Sequence, residues 1–186
     1  MVWKAAESER MKVAGKPYRS IWLNDDGWRV DIIDQTRLPH EFEIVTLHTL
    51  EDAACAIEVM QVRGAPLIGA TAAYGVCLAL AEDASDEALD AAHARLIRTR
   101  PTAVNLRWAL DEMRATVRNR PRAERLAAAF ARAAAICDED VAICRAIGDH
   151  GVGLIRDIAA TKPEGEPVNI LTHCNAGWLA TIDWGT

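Results

Sequence analysis

No two cysteines in this chain stand in CxxC spacing, and none combines with a histidine in a metal-ligand pattern. The five present, Cys55, Cys77, Cys137, Cys144 and Cys174, are an odd set. Most sit inside apolar helical patterns, where a free thiol acts as a small hydrophobe. That usage argues against a secreted disulfide framework and for a reducing, cytoplasmic setting. Positive charge is short as well. With 21 Lys and Arg against 27 Asp and Glu, the net charge is −6, so no diffuse basic field draws nucleic acid or an acidic membrane. The first ten residues hold no apolar run of signal-peptide length. Internal repeats and low-complexity tracts are missing too. One stretch, Gly64 to Ala81, has no charged residue and is long enough to span a bilayer. Its glycines, Pro66 and many alanines read instead as a tightly packed core helix.

What is present is an ordinary globular balance, 51% hydrophobic and 26% charged over 186 residues. That length suits one domain plus part of a second. The first third is β-rich: residues 20–24 and 28–33 flank Asp25-Asp26-Gly27, a hairpin turn signal, and residues 41–46 add a third alternating run. Helical periodicity follows. One helix is predicted from a Thr49 cap to about Met60, and a second from Pro66 to Ala81. A third covers Ser85 to Ile97, and a fourth runs from about Pro101 to Val117. Pro121 opens the longest, whose apolar face recurs through Leu126, Phe130, Ala133, Cys137, Val141, Cys144, Gly148, Gly151 and Ile155. Asp138, Glu139 and Asp140 read as its solvated side. Lys162-Pro-Glu-Gly-Glu-Pro167 marks a boundary. Residues 1–162 thus form a sheet-plus-helix unit with a long connecting helix, and residues 163–186 a linker and the opening of a second unit.

That second unit begins with residues 168–173, predicted as a buried strand running into a turn and a helix start, with Cys174 at the strand end. A thiol near a helix N-terminus loses its proton more readily; a buried structural cysteine fits the same spacing. His173 faces the other side of a strand, which argues against a Cys–His dyad. His40, His48, His93 and His150 are scattered. A parallel strand needs neighbours joined by crossovers, so the chain reads as the front half of something longer. Three arginines precede proline-started helices: Arg63-Gly-Ala-Pro66, Arg100-Pro101 and Arg120-Pro121. Unpaired N–H groups at a helix start, beside an arginine, make an anion site. Arg63-Gly64-Ala65 is the best of these, because Gly64 lets the backbone approach closely. Chance placement accounts equally well for Arg120, amid Arg118, Arg122 and Arg125.

Four runs in order, Asp34-Gln-Thr-Arg-Leu-Pro39, Val62-Arg-Gly-Ala-Pro-Leu-Ile-Gly69, Arg100-Pro-Thr-Ala-Val-Asn-Leu-Arg-Trp-Ala-Leu110 and Thr172-His-Cys-Asn-Ala-Gly177, resemble the methylthioribose-1-phosphate isomerases of methionine salvage. Those isomerases fall within a larger group related to the regulatory subunits of translation initiation factor 2B. The resemblance runs from about Trp28 onward. It implies an α/β protein: a small antiparallel sheet with helices, a long connecting helix, then a Rossmann-like domain. It further implies no metal or redox cofactor, a sugar 1-phosphate substrate and a homodimer. By the same resemblance Arg63, Gly64 and Ala65 match the substrate-binding loop, Arg100 a second substrate-binding arginine, and Cys174 the catalytic cysteine. The family's acid aspartate belongs further along, and Asp183 stands too close to Cys174 to be it. The 186 residues alone are therefore expected to be inactive. Isomerisation of 5-deoxyribose 1-phosphate or ribose 1,5-bisphosphate, or a non-catalytic regulatory subunit, are the alternatives.

Overall fold

The computed structural model describes residues 11–186, so the lack of a signal-type run in residues 1–10 lies outside the described residues. A short hairpin, β1 (Lys12–Val13) and β2 (Lys16–Pro17), precedes a three-stranded antiparallel sheet of β3 (Ile21–Leu23), β4 (Val30–Ile33) and β5 (Ile44–Leu47), in the order β3-β4-β5. The β3–β4 turn is the expected one. Asp26 Oδ1 accepts the N–H groups of Trp28 and Arg29, and Gly27 takes φ +83°. A residue with no Cβ reaches that region without strain. Pairing Ile21 with Ile32 and Ile32 with Val45 puts alternate apolar side chains on one face. All of β4 is buried, Asp31 included. Its carboxylate accepts from Asn24 Nδ2 at 2.8 Å and Thr46 Oγ1 at 2.6 Å, as a buried charge requires. The β1–β2 hairpin was not anticipated.

Five helices follow: α1 (Leu50–Glu58), α2 (Ala65–Glu82), α3 (Asp86–Ile97), α4 (Val104–Val117) and α5 (Arg122–Ala160). Their starts follow the cap chemistry. Thr49 and Asp52 form a reciprocal capping box on α1, and Ser85 Oγ accepts from Ala88 N at 3.1 Å on α3. The uncharged stretch is α2, long and apolar enough to cross a membrane yet buried along most of its length at the centre of the fold. Small residues let its neighbours close in. A Cβ at Gly75 would lie 3.0 Å from Ala53 Cβ and 3.2 Å from Leu96 Cδ1.

Helix α5 runs unbroken past Gly148, Gly151 and Gly153, but its expected apolar face is covered only as far as Cys144. Beyond it Ile147, Leu154 and Ile158 are exposed. Length explains this: 39 residues extend ~58 Å, against ~27 Å for the 18-residue α2 on which α5 lies. Two further corrections concern the C-terminal segment. Residues 168–173 form no strand, and Ile170 and Leu171 are 70% and 98% exposed. No strand among the described residues pairs with them, and an unpaired apolar run gains nothing by becoming extended sheet. The expected helix start is a single 3₁₀ turn, Trp178–Ala180. That turn and the residues after it fold back onto the sheet and helices, where Ala180, Thr181, Ile182 and Asp183 are buried.

Candidate active site

The first three sequence runs are joined by a short chain of contacts, and the turn that follows the fourth touches the first two. Asp34 Oδ2 accepts from Gln61 Nε2 at 2.8 Å, which steadies the loop entering α2, while Val62 is sunk in the core. Partial burial works against the Asp34 carboxylate, yet hydrogen bonds from Thr36 and Gln61 and the charge of Arg37 hold it below its ordinary range. Gln35 Nε2 donates to Leu179 O at 2.6 Å, tying the same first run to the C-terminal turn. Gly69, one turn into α2, abuts the first turn of α4: its Cβ would stand 3.0 Å from Asn105 O. The N-terminal ends of α2 and α4, with Arg63 and Arg100 just ahead of them, therefore lie close together.

Neither N-terminus has a side-chain cap. The N–H groups of Ala65 and Leu67 have no partner within α2, because the first four donors of any helix lack one. Arg63 and Arg100 are exposed, and no hydrogen bond or ion pair holds either guanidinium among the described residues. Arg120 differs. Its Nε donates to Thr116 O at 3.0 Å, and its carbonyl accepts from Arg125 Nε. Arg125 itself is buried, donating also to Ala84 O and Arg118 O, so it closes the end of α4. Two of the three arginines are free to meet an anion, and the third is engaged in structure.

Gly64 is needed here for a reason unrelated to a ligand. At φ +89° its Cβ would fall 2.3 Å from the Cα and O of Ala180, so the loop and the C-terminal turn meet backbone to backbone. Ser20 N donates to Ile182 O at 2.9 Å, and Ile182 N to Asp140 Oδ2 at 3.0 Å. Asp140 is thus half-buried, its carboxylate engaged by the Ile182 N–H rather than left wholly to water. Burial pushes its carboxyl above the ordinary value, against the pull of the Ile182 N–H. Asp138 pairs with Arg19 at 2.8 Å and Glu139 with Arg132 at 2.7 Å.

The thiols divide sharply. Burial raises Cys77 and Cys144 and pushes Cys137 up to about 12, so all three stay protonated within the core. Cys174 is exposed, at φ +72°, in the bend before the 3₁₀ turn. It therefore stands neither at a strand end nor at a helix N-terminus. Three residues separate it from Trp178, a span of at most ~14 Å, which keeps it tethered near the Gly64–Ala180 contact. Sequence reasoning missed a cleft of about 260 Å³ beside the same loop, between Pro66 of α2, Trp108 of α4 and Ile136 to Ile143 of α5. Its signal was Trp108, a large aromatic eight residues past Arg100 on an otherwise amphipathic helix. Among the described residues no cluster of His, Cys, Asp and Glu is arranged to hold a metal ion.

Residues 61–182 match the Initiation factor 2 subunit family. Over 176 residues, 95% of the chain, the sequence is 60% identical to the methylthioribose-1-phosphate isomerase of Methylocella silvestris and 62% identical to that of Brucella anthropi. In both cases the match takes up 48% of the relative, so the chain spans about half the length of the curated relatives it matches. The fold is similar to the crystal structure of 5-methylthioribose 1-phosphate isomerase from Pyrococcus horikoshii OT3, with a TM-score of 0.77 and 37% identity over 98% of this chain and 49% of that one. It is also similar to the delta subunit of translation initiation factor eIF-2B from A. fulgidus, with a TM-score of 0.74 and 36% identity over 90% of this chain and 48% of that one.

Proposed function

The chain belongs to the initiation factor 2 subunit family, and on that footing we propose that it carries the N-terminal part of an isomerase converting 5-methylthioribose 1-phosphate to 5-methylthioribulose 1-phosphate. The carrying observation is the 60–62% identity to such isomerases across 95% of the chain. Likeness of fold does not choose between catalyst and regulatory subunit, since isomerase and initiation-factor subunit match almost equally well. The two unpaired arginines beside uncapped helix starts favour the catalyst, because a scaffold gains nothing from leaving them free.

The chemistry assigns roles. Phosphate on C1 blocks spontaneous ring opening, so an acid protonates the ring oxygen as its bond to C1 breaks. Hydrogen then passes from C2 to C1 while the C2 hydroxyl gives up its proton to become the ketone. Arg63, Arg100 and the Gly64 and Ala65 amides hold the phosphate with charge-assisted hydrogen bonds and fix the sugar's orientation. Cys174 serves the C2-to-C1 step, as proton carrier or by stabilising the charge that develops. The reaction is internal and redox-neutral, and no cofactor is assigned to it. The acid is assigned to a Rossmann-like domain that residues 163–186 begin, after a unit of residues 1–162. A cytoplasmic homodimer is the working form, with neither nucleic acid nor membrane as partner.

Turnover of 5-methylthioribose 1-phosphate, followed by phosphorus NMR, tests this in the full-length protein carrying these 186 residues. Conversion to the ketose phosphate is expected, with none from the 186-residue chain alone. A full-length protein that binds the sugar phosphate without converting it would point to the regulatory reading.

A further inference from the structure

We infer that Gln35 is a positioning residue: its two hydrogen bonds hold the Arg63–Ala65 loop and the turn behind Cys174 in register, so that the thiol meets a sugar anchored by its phosphate. This rests on the isomerase reading and adds to it the residue that sets one half of the site against the other. Gln35 stands two positions past the end of β4 and is 4% exposed. Its backbone N–H donates to Gln61 O at 2.9 Å, two residues ahead of Arg63. Its side-chain Nε2 donates to Leu179 O at 2.6 Å, five residues past Cys174. One buried residue thus touches both segments. The strand it extends is wholly buried and paired along both edges, which makes it a firm base.

The two bonds differ in what depends on them. On the Arg63 side Gln35 is backed by Asp34, whose Oδ2 accepts from Gln61 Nε2 at 2.8 Å, and the loop runs straight into the buried helix α2. On the Cys174 side the chain offers only the three-residue turn Trp178–Ala180. Ser20 Oγ reaches that turn at 3.4 Å, a far longer contact than the Gln35 bond. Cys174 itself has φ +72°, a region that a residue with a Cβ keeps only where its surroundings hold it. Leu179 O can only accept, so the Gln35 amide must present its NH₂ group, and a carboxylate could replace it only when protonated. Misplacing a reacting group by about 1 Å costs about a hundredfold in rate. The Leu179 bond therefore bears on kcat, and the Gln61 bonds bear on phosphate binding.

The test is steady-state turnover of 5-methylthioribose 1-phosphate by the full-length enzyme, with calorimetric titration of inorganic phosphate alongside. Gln35→Met keeps the volume and the backbone bond to Gln61 but removes the donor to Leu179 O. Its kcat should fall about ten- to a hundredfold, with KM and phosphate affinity within about twofold of wild type. Added to Cys174→Ala, the same change should lower the residual kcat no further, since a residue acting through the thiol has nothing left to position. Gln35→Glu sets a carboxylate against a carbonyl, and a proton restores the donor. Its kcat relative to wild type should therefore climb as pH falls. Thr46→Val removes a bond of the same length, to Asp31 within the sheet, and should lower the melting temperature while leaving kcat alone. Should Gln35→Met not fold, the pH profile of Gln35→Glu decides. A wild-type kcat in Gln35→Met, a full further loss in the Cys174→Ala background, a Gln35→Glu ratio level with pH, or an equal kcat loss in Thr46→Val would each overturn the assignment and leave the isomerase reading in place. A wild type that turns over no methylthioribose 1-phosphate would remove that reading and this one with it.

Discussion

Two stretches of the C-terminal segment, on either side of Cys174, are treated oppositely by the fold. Ile170 and Leu171 lie open to solvent, while Thr181, Ile182 and Asp183 are almost wholly buried. By composition the first is the more apolar and the better strand. What decides the matter is whether partners exist for the backbone. Ser20, Gln35 and Asp140 offer hydrogen bonds to residues 179–182. Nothing described offers any to residues 168–172. Between the two stretches sits Cys174, exposed but tethered to the buried part. The buried stretch therefore acts as an anchor for the exposed residues that precede it.

The sharpest way to break that division is through Cys174. In the full-length enzyme Cys174→Ala should lower kcat by about 10²–10⁴, the usual scale for a proton-transferring group, with substrate affinity and melting temperature almost unchanged. A near-wild-type kcat would return Cys174 to a structural role. Next is the anchor itself. Gly64→Ala puts a methyl 2.3 Å from the Ala180 backbone at a positive φ. It should cost about 3 kcal/mol in denaturant unfolding, near the top of the range for overpacking. A neutral result would show that the C-terminal turn does not dock on the α2 loop.

Smaller effects separate the arginines. Arg63→Ala and Arg100→Ala should each weaken calorimetric binding of a sugar 1-phosphate by about 1.5–3 kcal/mol, the worth of a charge-assisted contact. Arg120→Ala, whose guanidinium serves Thr116, should leave that binding as it is. Equal losses for all three would mean general electrostatics rather than a defined pocket.

The smallest effect is a pH dependence at Asp140. Burial raises its folded pKa above the ordinary 3.8, so between those two values the folded state binds a proton that the unfolded state has released. The resulting stability is complete below the unfolded value and disappears as pH rises through the folded one. Asp140→Asn keeps an oxygen for the Ile182 N–H and removes the titration. Its melting temperature should stay level across that window where the wild type declines, and parallel profiles would place the carboxyl in water.

Much of this architecture was legible in the residues. Asp25-Asp26-Gly27 makes its turn through its own side chains and one permissive glycine, and Thr49 and Ser85 cap their helices with their own oxygens. Gly and Pro placed the helix starts to within a few residues. These are local interactions, complete within a few positions, so sequence alone determines them. Where α5 loses its cover, why Gly64 must be glycine, and that Asp140 is half-buried against Ile182 all depend on elements distant along the chain. So do the freedom of Arg63 and Arg100 beside the engagement of Arg120, and the cleft walled by Trp108 and Ile143. Burial and charge compensation are properties of what lies opposite a side chain, and only the tertiary structure supplies the opposite side.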